Sequence, residues 1–419
     1  TDSRSIEPAD LFVALSGDRF DGHAFLESVR ERGVRGAVVR RGTRPLTGLR
    51  LYPVDDPLRA LGQLARARRS EISGPVVAIT GTNGKTSTKE MVTAVLRARY
   101  RVHATRANLN NLIGVPLTIL EAGPEIDALV VEAGANLPGE IARYRDIIDP
   151  AITVITNVAA GHLEGFGSLA GVLAEKIELA RGVKLAVVGA DDPILAERAR
   201  EVASRVVSAG LDNAEIAPDR LELREGRARL AIEGQEFTLS QLGLHQAKNA
   251  LLAWAVGREL ALEPSEIAEA LQSVHLPAGR GQLVQQGTVT ILDDCYNANP
   301  ASFRAAIATA RALRGDRPLI FVAGTMLELG PETDRFHREI AAELVALGPD
   351  LLAGVGRFQD ALEAHRADLG ARLVVASDAP AMAALLKDRV PDGSLVVLKG
   401  SRGMALERLL PVLRAGGTS

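Results

Sequence analysis

At 419 residues, with a net charge of -3 and a pI near 6.2, the chain has no global attraction for nucleic acid or an anionic membrane surface, so any anion it takes must be held locally. Apolar residues at 47% against 24% charged residues exclude a disordered or fibrous chain. One core does not organise this length, because single cores stop growing near ~250–300 residues.

Two or three domains are therefore expected, with cores of Ala, Val, Leu and Ile because aromatics are only 3%. The lone cysteine, Cys295, forbids an intrachain disulfide and fits a reducing compartment. No apolar run reaches the ~18 residues of a membrane span, and no charged-then-apolar leader opens the chain. A cytoplasmic, monomeric protein without nucleic-acid or membrane partners is expected. The chain opens at Thr1 without an initiator Met, so a short preceding piece is also expected.

Residues 1–73 hold short apolar runs, Leu11 to Leu15 and Ala37 to Val39, that suggest a small α/β domain. Arg66 to Ser70 and the Gly74-Pro75 pair mark its boundary. In residues 74–276, Val76 to Thr80, Ala128 to Glu132, Ile152 to Thr156 and Leu185 to Gly189 read as buried parallel strands. Alternation between Leu221 and Leu239, with turns at Glu225-Gly226 and Glu233-Gly234, adds antiparallel hairpins, so a mixed central sheet is expected. In residues 277–419, Val289 to Leu292, Leu319 to Ala323, Leu351 to Val355, Leu373 to Ala376 and Leu395 to Leu398 alternate with helical segments. That is the pattern of a doubly wound, Rossmann-like sheet.

The strongest local signal is Thr80-Gly81-Thr82-Asn83-Gly84-Lys85-Thr86, followed by Ser87, between an apolar strand and a helix-forming run. Glycines let the backbone wrap phosphate, the helix start supplies free N–H groups, Lys85 neutralises charge, and Thr86 suits Mg²⁺. Ile79 stands where the usual phosphate-loop spacing has its first Gly.

This segment resembles the form shared by Mur ligases and folylpolyglutamate synthetases, and resemblance to the Mur ligases extends over the whole chain. Asp2-Ser3-Arg4, Asp21-Gly22-His23, Asn110-Asn111, Glu132 to Asn136, His162 to Ser168, Tyr296 to Pro300, Leu327 to Gly330 and Lys399 to Arg402 occur in the family's order. They narrow it to the branch that adds D-alanyl-D-alanine to UDP-N-acetylmuramoyl-tripeptide. The resemblance implies a three-domain α/β enzyme that uses ATP to turn a carboxylate into an acyl phosphate, which an amine then attacks.

It also implies roles. Ser3, Arg4, Asp21, Gly22, His23, Asn110 and Asn111 would hold the UDP-linked substrate. Gly81 to Ser87, Asn249, Arg280, Asp294, Tyr296, Asn297 and Asn299 would hold ATP. Thr86, Glu132 and His162 would hold Mg²⁺, joined by Lys176 as a carbamate. Lys399 and Arg402 would orient the acyl phosphate or the dipeptide, beside catalytic Lys85, His162 and Lys176. Glu175 and Glu178 stand against a neutral Lys176, because nearby carboxylates favour an ammonium, and Ile177 replaces the Gly common after this lysine. Asn157 is a further candidate for orienting the edge of the site beside His162, and Leu244-His245 precede Asn249 in the family segment, whereas Cys295 has no neighbouring base and reads as a packed small residue. Three alternatives are another Mur-type ligase, a folylpolyglutamate synthetase, and a nonenzymatic ATP-driven switch.

Overall fold

The computed structural model describes residues 1–17 and 20–413. In the N-terminal unit, strands Leu11–Val13, Gly36–Arg40 and Arg50–Val54 pair in parallel in that order. The third strand has little buried side-chain pattern and contains Pro53, features of a sheet edge that hide it from a search for apolar runs.

Helix Pro57–Arg69 follows, capped by Asp56, whose carboxylate accepts from Leu58 N and Arg59 N. The arginines that read as a boundary form the last turn of this helix and fasten it to the central unit. Arg68 donates to Ala122 O at 2.7 Å and Gly123 O at 2.8 Å. Arg69 reaches Ile148 O and Asp149 O, and Arg66 reaches Asp146 O. These carbonyls lie at or beyond the ends of helices Gly114–Leu120 and Glu140–Ile148, where main-chain acceptors lack intrahelical partners and favour cations. Arg68→Met is expected to lower the unfolding free energy by about 1–3 kcal/mol, read as a lower urea midpoint. An unchanged midpoint would remove this clamp from the stability of the fold.

The central sheet is parallel throughout, in the order Val206–Ala209, Leu185–Gly189, Ile152–Ile155, Val76–Thr80, Ala128–Glu132, Val102–Ala104. The expected hairpins do form, but as a separate antiparallel sheet of Arg220–Arg224, Arg227–Ile232 and Gln235–Leu242. The central unit therefore carries two sheets where one mixed sheet was expected. Without an intervening crossover helix, consecutive strands can only fold back on one another. Trp254 of helix Leu244–Glu259 is fully buried and stacks on Phe237, with ring centroids 5.7 Å apart, which ties that helix to the hairpins.

In the C-terminal unit, Val289–Asp294, Leu395–Lys399, Leu319–Gly324, Leu351–Val355 and Leu373–Ala376 form the expected doubly wound parallel sheet. Gln282–Gln286 adds an antiparallel edge. One apolar cluster runs from Val131 and Tyr144 through Leu163 and Phe166 to Leu329 and Phe336, joining the central and C-terminal units.

From Val76–Thr80 the chain crosses to the Val102–Ala104 edge and returns through Ala128–Glu132. It then passes to Ile152–Ile155 on the opposite flank. Such a reversal opens a crevice at the carboxyl ends of the strands.

Candidate active site

The loop after Val76–Thr80 enters this crevice. Its glycines answer to neighbours as well as to phosphate: a Cβ on Gly81 (φ +141) would stand 2.0 Å from Thr156 Oγ1, and one on Gly84 (φ +80) 2.4 Å from Asn249 Oδ1. Asn157, beyond the end of the adjacent strand, clamps the loop. Its carboxamide accepts from Asn83 N and donates to Asn83 O, both at 3.0 Å, while Thr82 N donates to Asn157 O at 2.9 Å. Helix Lys85–Leu96 then begins with its first N–H groups available to an anion. Lys85 Nζ donates to Gly81 O at 2.9 Å and Thr82 O at 3.0 Å. Desolvation pulls its pKa below the ordinary lysine value, opposed by Glu132 and reinforced by Arg280.

Buried Glu132, at the end of Ala128–Glu132, accepts from Thr86 Oγ1 and from Asn110 Nδ2, each at 2.8 Å. Among the described residues, no cluster of three or more His, Cys, Asp or Glu side chains is arranged to hold a metal. Mg²⁺ nonetheless fits this donor set, because it keeps several waters and takes one or two carboxylates together with substrate phosphates. His162 Nδ1 lies 2.5 Å from Glu328 Oε2 of the C-terminal unit, and hydrogen bonding from His162 lowers the Glu328 pKa.

Lys176 is fully buried with its amine unpartnered, and Nζ lies 5.5 Å from the Phe166 ring centroid. The two glutamates set against it in the sequence are engaged elsewhere. Glu175 accepts from Gly139 N and Ile141 N at 2.8 and 2.7 Å, and Glu178 pairs with Arg145 and Arg181. Burial, then the charge of Lys85, pulls the Lys176 pKa to about 7, against the weaker pull of Glu175 and Glu140.

From the C-terminal unit, Lys399 donates to Asp294 Oδ2 at 2.7 Å and Asn297 O at 2.9 Å. This pair of buried Lys399 with half-buried Asp294 shapes the turn from Asp294 to Asn299. The Arg280 guanidinium lies 4.1 Å from the Tyr296 ring centroid, and exposed Arg402 pairs with Glu407 at 2.9 Å. Cys295 Sγ donates to Asp293 Oδ1 at 2.9 Å, with burial raising its pKa, as a packed, unreactive thiol requires.

A cavity of about 770 Å³ lies between the central and C-terminal units. Models of the Mur ligase family match the chain in three successive pieces. The Mur ligase family catalytic domain covers residues 1–69, the Mur ligase middle domain 79–257, and the Mur ligase glutamate ligase domain 279–402. The chain belongs to the Mur ligase family. This Mur ligase is 34% identical to the UDP-N-acetylmuramoyl-tripeptide--D-alanyl-D-alanine ligase of Bacillus subtilis (strain 168), across 98% of this chain and 91% of that protein. It superposes on the crystal structure of MurF from Acinetobacter baumannii with a TM-score of 0.89 and 32% identity, covering 99% of this chain and 92% of that one. With MurF ligase from Thermotoga maritima in complex with ADP the TM-score is 0.86 at 28% identity, covering 98% and 96%.

In this Mur ligase the cavity is lined by Thr82 to Ser87, Asn110, Asn111, Glu132 and His162 from the central unit, with Asn249 beside Gly84. Arg280, Asp294, Tyr296, Asn297, Lys399 and Arg402 line it from the opposite side. Gly81, Lys176 and Asn299 stand outside the lining. So do Ser3, Arg4, Asp21, Gly22 and His23 of the N-terminal unit. Both ring nitrogens of His23 are engaged, Nδ1 with Asp21 Oδ1 at 2.6 Å and Nε2 with Arg40 N at 2.9 Å, so it braces its loop. Arg4 pairs with Asp2 at 2.7 Å.

Lining residues outside the sequence reading include Lys248, paired with Asp191 at 2.5 Å. Asp191 just follows the strand Leu185–Gly189, and its place beyond a parallel strand's carboxyl end was the available signal.

Proposed function

We infer that this Mur ligase joins D-alanyl-D-alanine to UDP-N-acetylmuramoyl-tripeptide at the expense of ATP, in peptidoglycan precursor synthesis. The observation that carries the reading is its full-length 34% identity to a ligase of that activity. A carboxylate resists attack by amines, so the tripeptide carboxylate oxygen first attacks the γ-phosphorus and ADP leaves. The dipeptide amine then attacks the acyl carbon, phosphate departs, and the nitrogen loses a proton.

The backbone of the loop and Lys85 receive the ATP phosphates, while Asn249 and Arg280, with the turn from Asp294 to Asn297, complete the nucleotide site. Thr86 and Glu132 would hold Mg²⁺, with His162 and a carbamate on Lys176 on the acyl side. The metal supplies positive charge where two anions must approach. The unpartnered, buried amine supports the carbamate reading, because it gives the neutral nitrogen that CO₂ requires. Ser3, Arg4, Asp21, Gly22 and His23 would hold the uridine end, and Asn110 and Asn111 its peptide. Lys399 keeps the C-terminal turn in shape, and exposed Arg402, which lines the cavity, would take the dipeptide carboxylate. No helix among the described residues is long and apolar enough to cross a membrane. ATP supply favours a cytoplasmic location.

Phosphate release is expected only when UDP-muramoyl-tripeptide and D-alanyl-D-alanine are both present. Equal turnover with a single D- or L-amino acid would overturn the dipeptide assignment.

A further inference from the structure

Two carboxamides, one from the central unit and one from the C-terminal unit, meet beside the phosphate loop. Asn299 Nδ2 donates to Asn83 Oδ1 at 2.7 Å, and Asn83 Nδ2 donates to Asn299 Oδ1 at 3.3 Å. Each is presented rigidly. The Asn83 backbone is held at both N and O by Asn157, leaving its side chain as the part that faces outward. Asn299 caps helix Pro300–Arg314, with Oδ1 accepting from Ser302 N at 2.9 Å and its own N donating to Ser302 Oγ at 2.9 Å.

The cap fixes which way the Asn299 amide points. Because Oδ1 is committed to Ser302 N, Nδ2 must face Asn83, and the Asn83 carboxamide is oriented in turn. Asn299 is buried. Gly161 leaves it room: a Cβ there would stand 3.4 Å from Asn299 Nδ2 and 2.7 Å from Thr82 Cγ2. A neutral pair suits this position, since a carboxylate at either residue would bring an anion toward the bound phosphates. Paired donors and acceptors also fix angle as well as distance.

We propose that the Asn83–Asn299 pair is a positioning contact that seats the C-terminal unit on the phosphate loop, so that the residues of both units reach ATP and the incoming amine together. Neither carboxamide acts on the reacting atoms in this role; each acts through the groups it aligns, Lys85 on one side and the turn from Asp294 to Asn297 on the other. The inference rests on the ligase reading above.

The test is a double-mutant cycle of Asn83→Ala and Asn299→Ser, with serine chosen because its hydroxyl also caps helices. Saturating UDP-muramoyl-tripeptide and D-alanyl-D-alanine would be used to read kcat and the KM for ATP, and each melting midpoint would be recorded. Each single variant is expected to lose about tenfold in kcat, the double variant little more, with the KM for ATP changing less than about threefold. X-ray scattering with a non-hydrolysable ATP analogue and UDP-tripeptide should show all three variants less compact than the parent. A kcat within about twofold of the parent in both single variants would overturn the proposal, as would losses that multiply in the double variant. Should Asn299→Ser fail to fold, Asn83→Ala decides alone, because its side chain caps no helix. Absence of phosphate release by the parent protein would instead count against the ligase reading itself.

Discussion

Replacing Lys85 with Ala is expected to reduce kcat by about 10²–10³-fold and to raise the KM for ATP. The ammonium is held over the loop by Gly81 O and Thr82 O in a desolvated position, where a fixed charge acts more strongly than in water. Charge accumulates on the transferring phosphoryl oxygens as the tripeptide carboxylate approaches, so the contact strengthens in the transition state and its loss falls on kcat as well as on binding. Steady-state phosphate release, with circular dichroism to verify folding, makes the measurement. Turnover within about threefold of the parent would remove Lys85 from the chemistry.

Lys176→Ala is expected to abolish most activity, with partial recovery when a small carboxylic acid is added to occupy the vacated ligand position. Near-normal turnover without the acid would refute an essential carbamate. Stability should move the opposite way when Lys176 is replaced by Met, a side chain of similar length that suits an apolar, fully buried site. The native pKa of about 7 lies below the ordinary lysine value of 10.5. Between those values the unfolded chain binds more protons, so stability rises with pH there, and the penalty of burying this amine is complete below about 7. In CO₂-free buffer, Lys176→Met should therefore melt higher than the parent near neutral pH, with the gap closing toward pH ~10. A lower melting point across that range would show that the buried amine has a stabilising partner.

Much of this was legible in the chain because the chemistry is local. The phosphate loop needs Gly81 and Gly84, a lysine and a helix start within eight residues, and the strands that lead to Glu132 and Asn157 are short, fully buried and mostly apolar. Lys176 was harder. Its neighbours Glu175 and Glu178 argue for a solvated ammonium until the fold shows that main-chain N–H groups at Gly139 and Ile141 and the side chains of Arg145 and Arg181 hold them. Lys399 likewise reads as basic and free, because its partner Asp294 is 105 residues away and becomes adjacent only when two parallel strands pair. The edge strands Arg50–Val54 and Gln282–Gln286 lack a continuous apolar run, since an edge buries less than a centre.

The arginine clamp at the end of Pro57–Arg69 has a consequence for substrate choice. Guanidinium groups bound to main-chain oxygens of the central unit tie the proposed uridine-binding unit to the unit that carries the phosphate loop, as one frame. The span between the two ends of the substrate is then a gauge. With the uridine end held in the proposed N-terminal site, a precursor one residue short would lose up to ~3.5 Å of reach, more than a hydrogen bond tolerates. On the proposed site assignment, peptide length would be read from the fixed spacing within that frame.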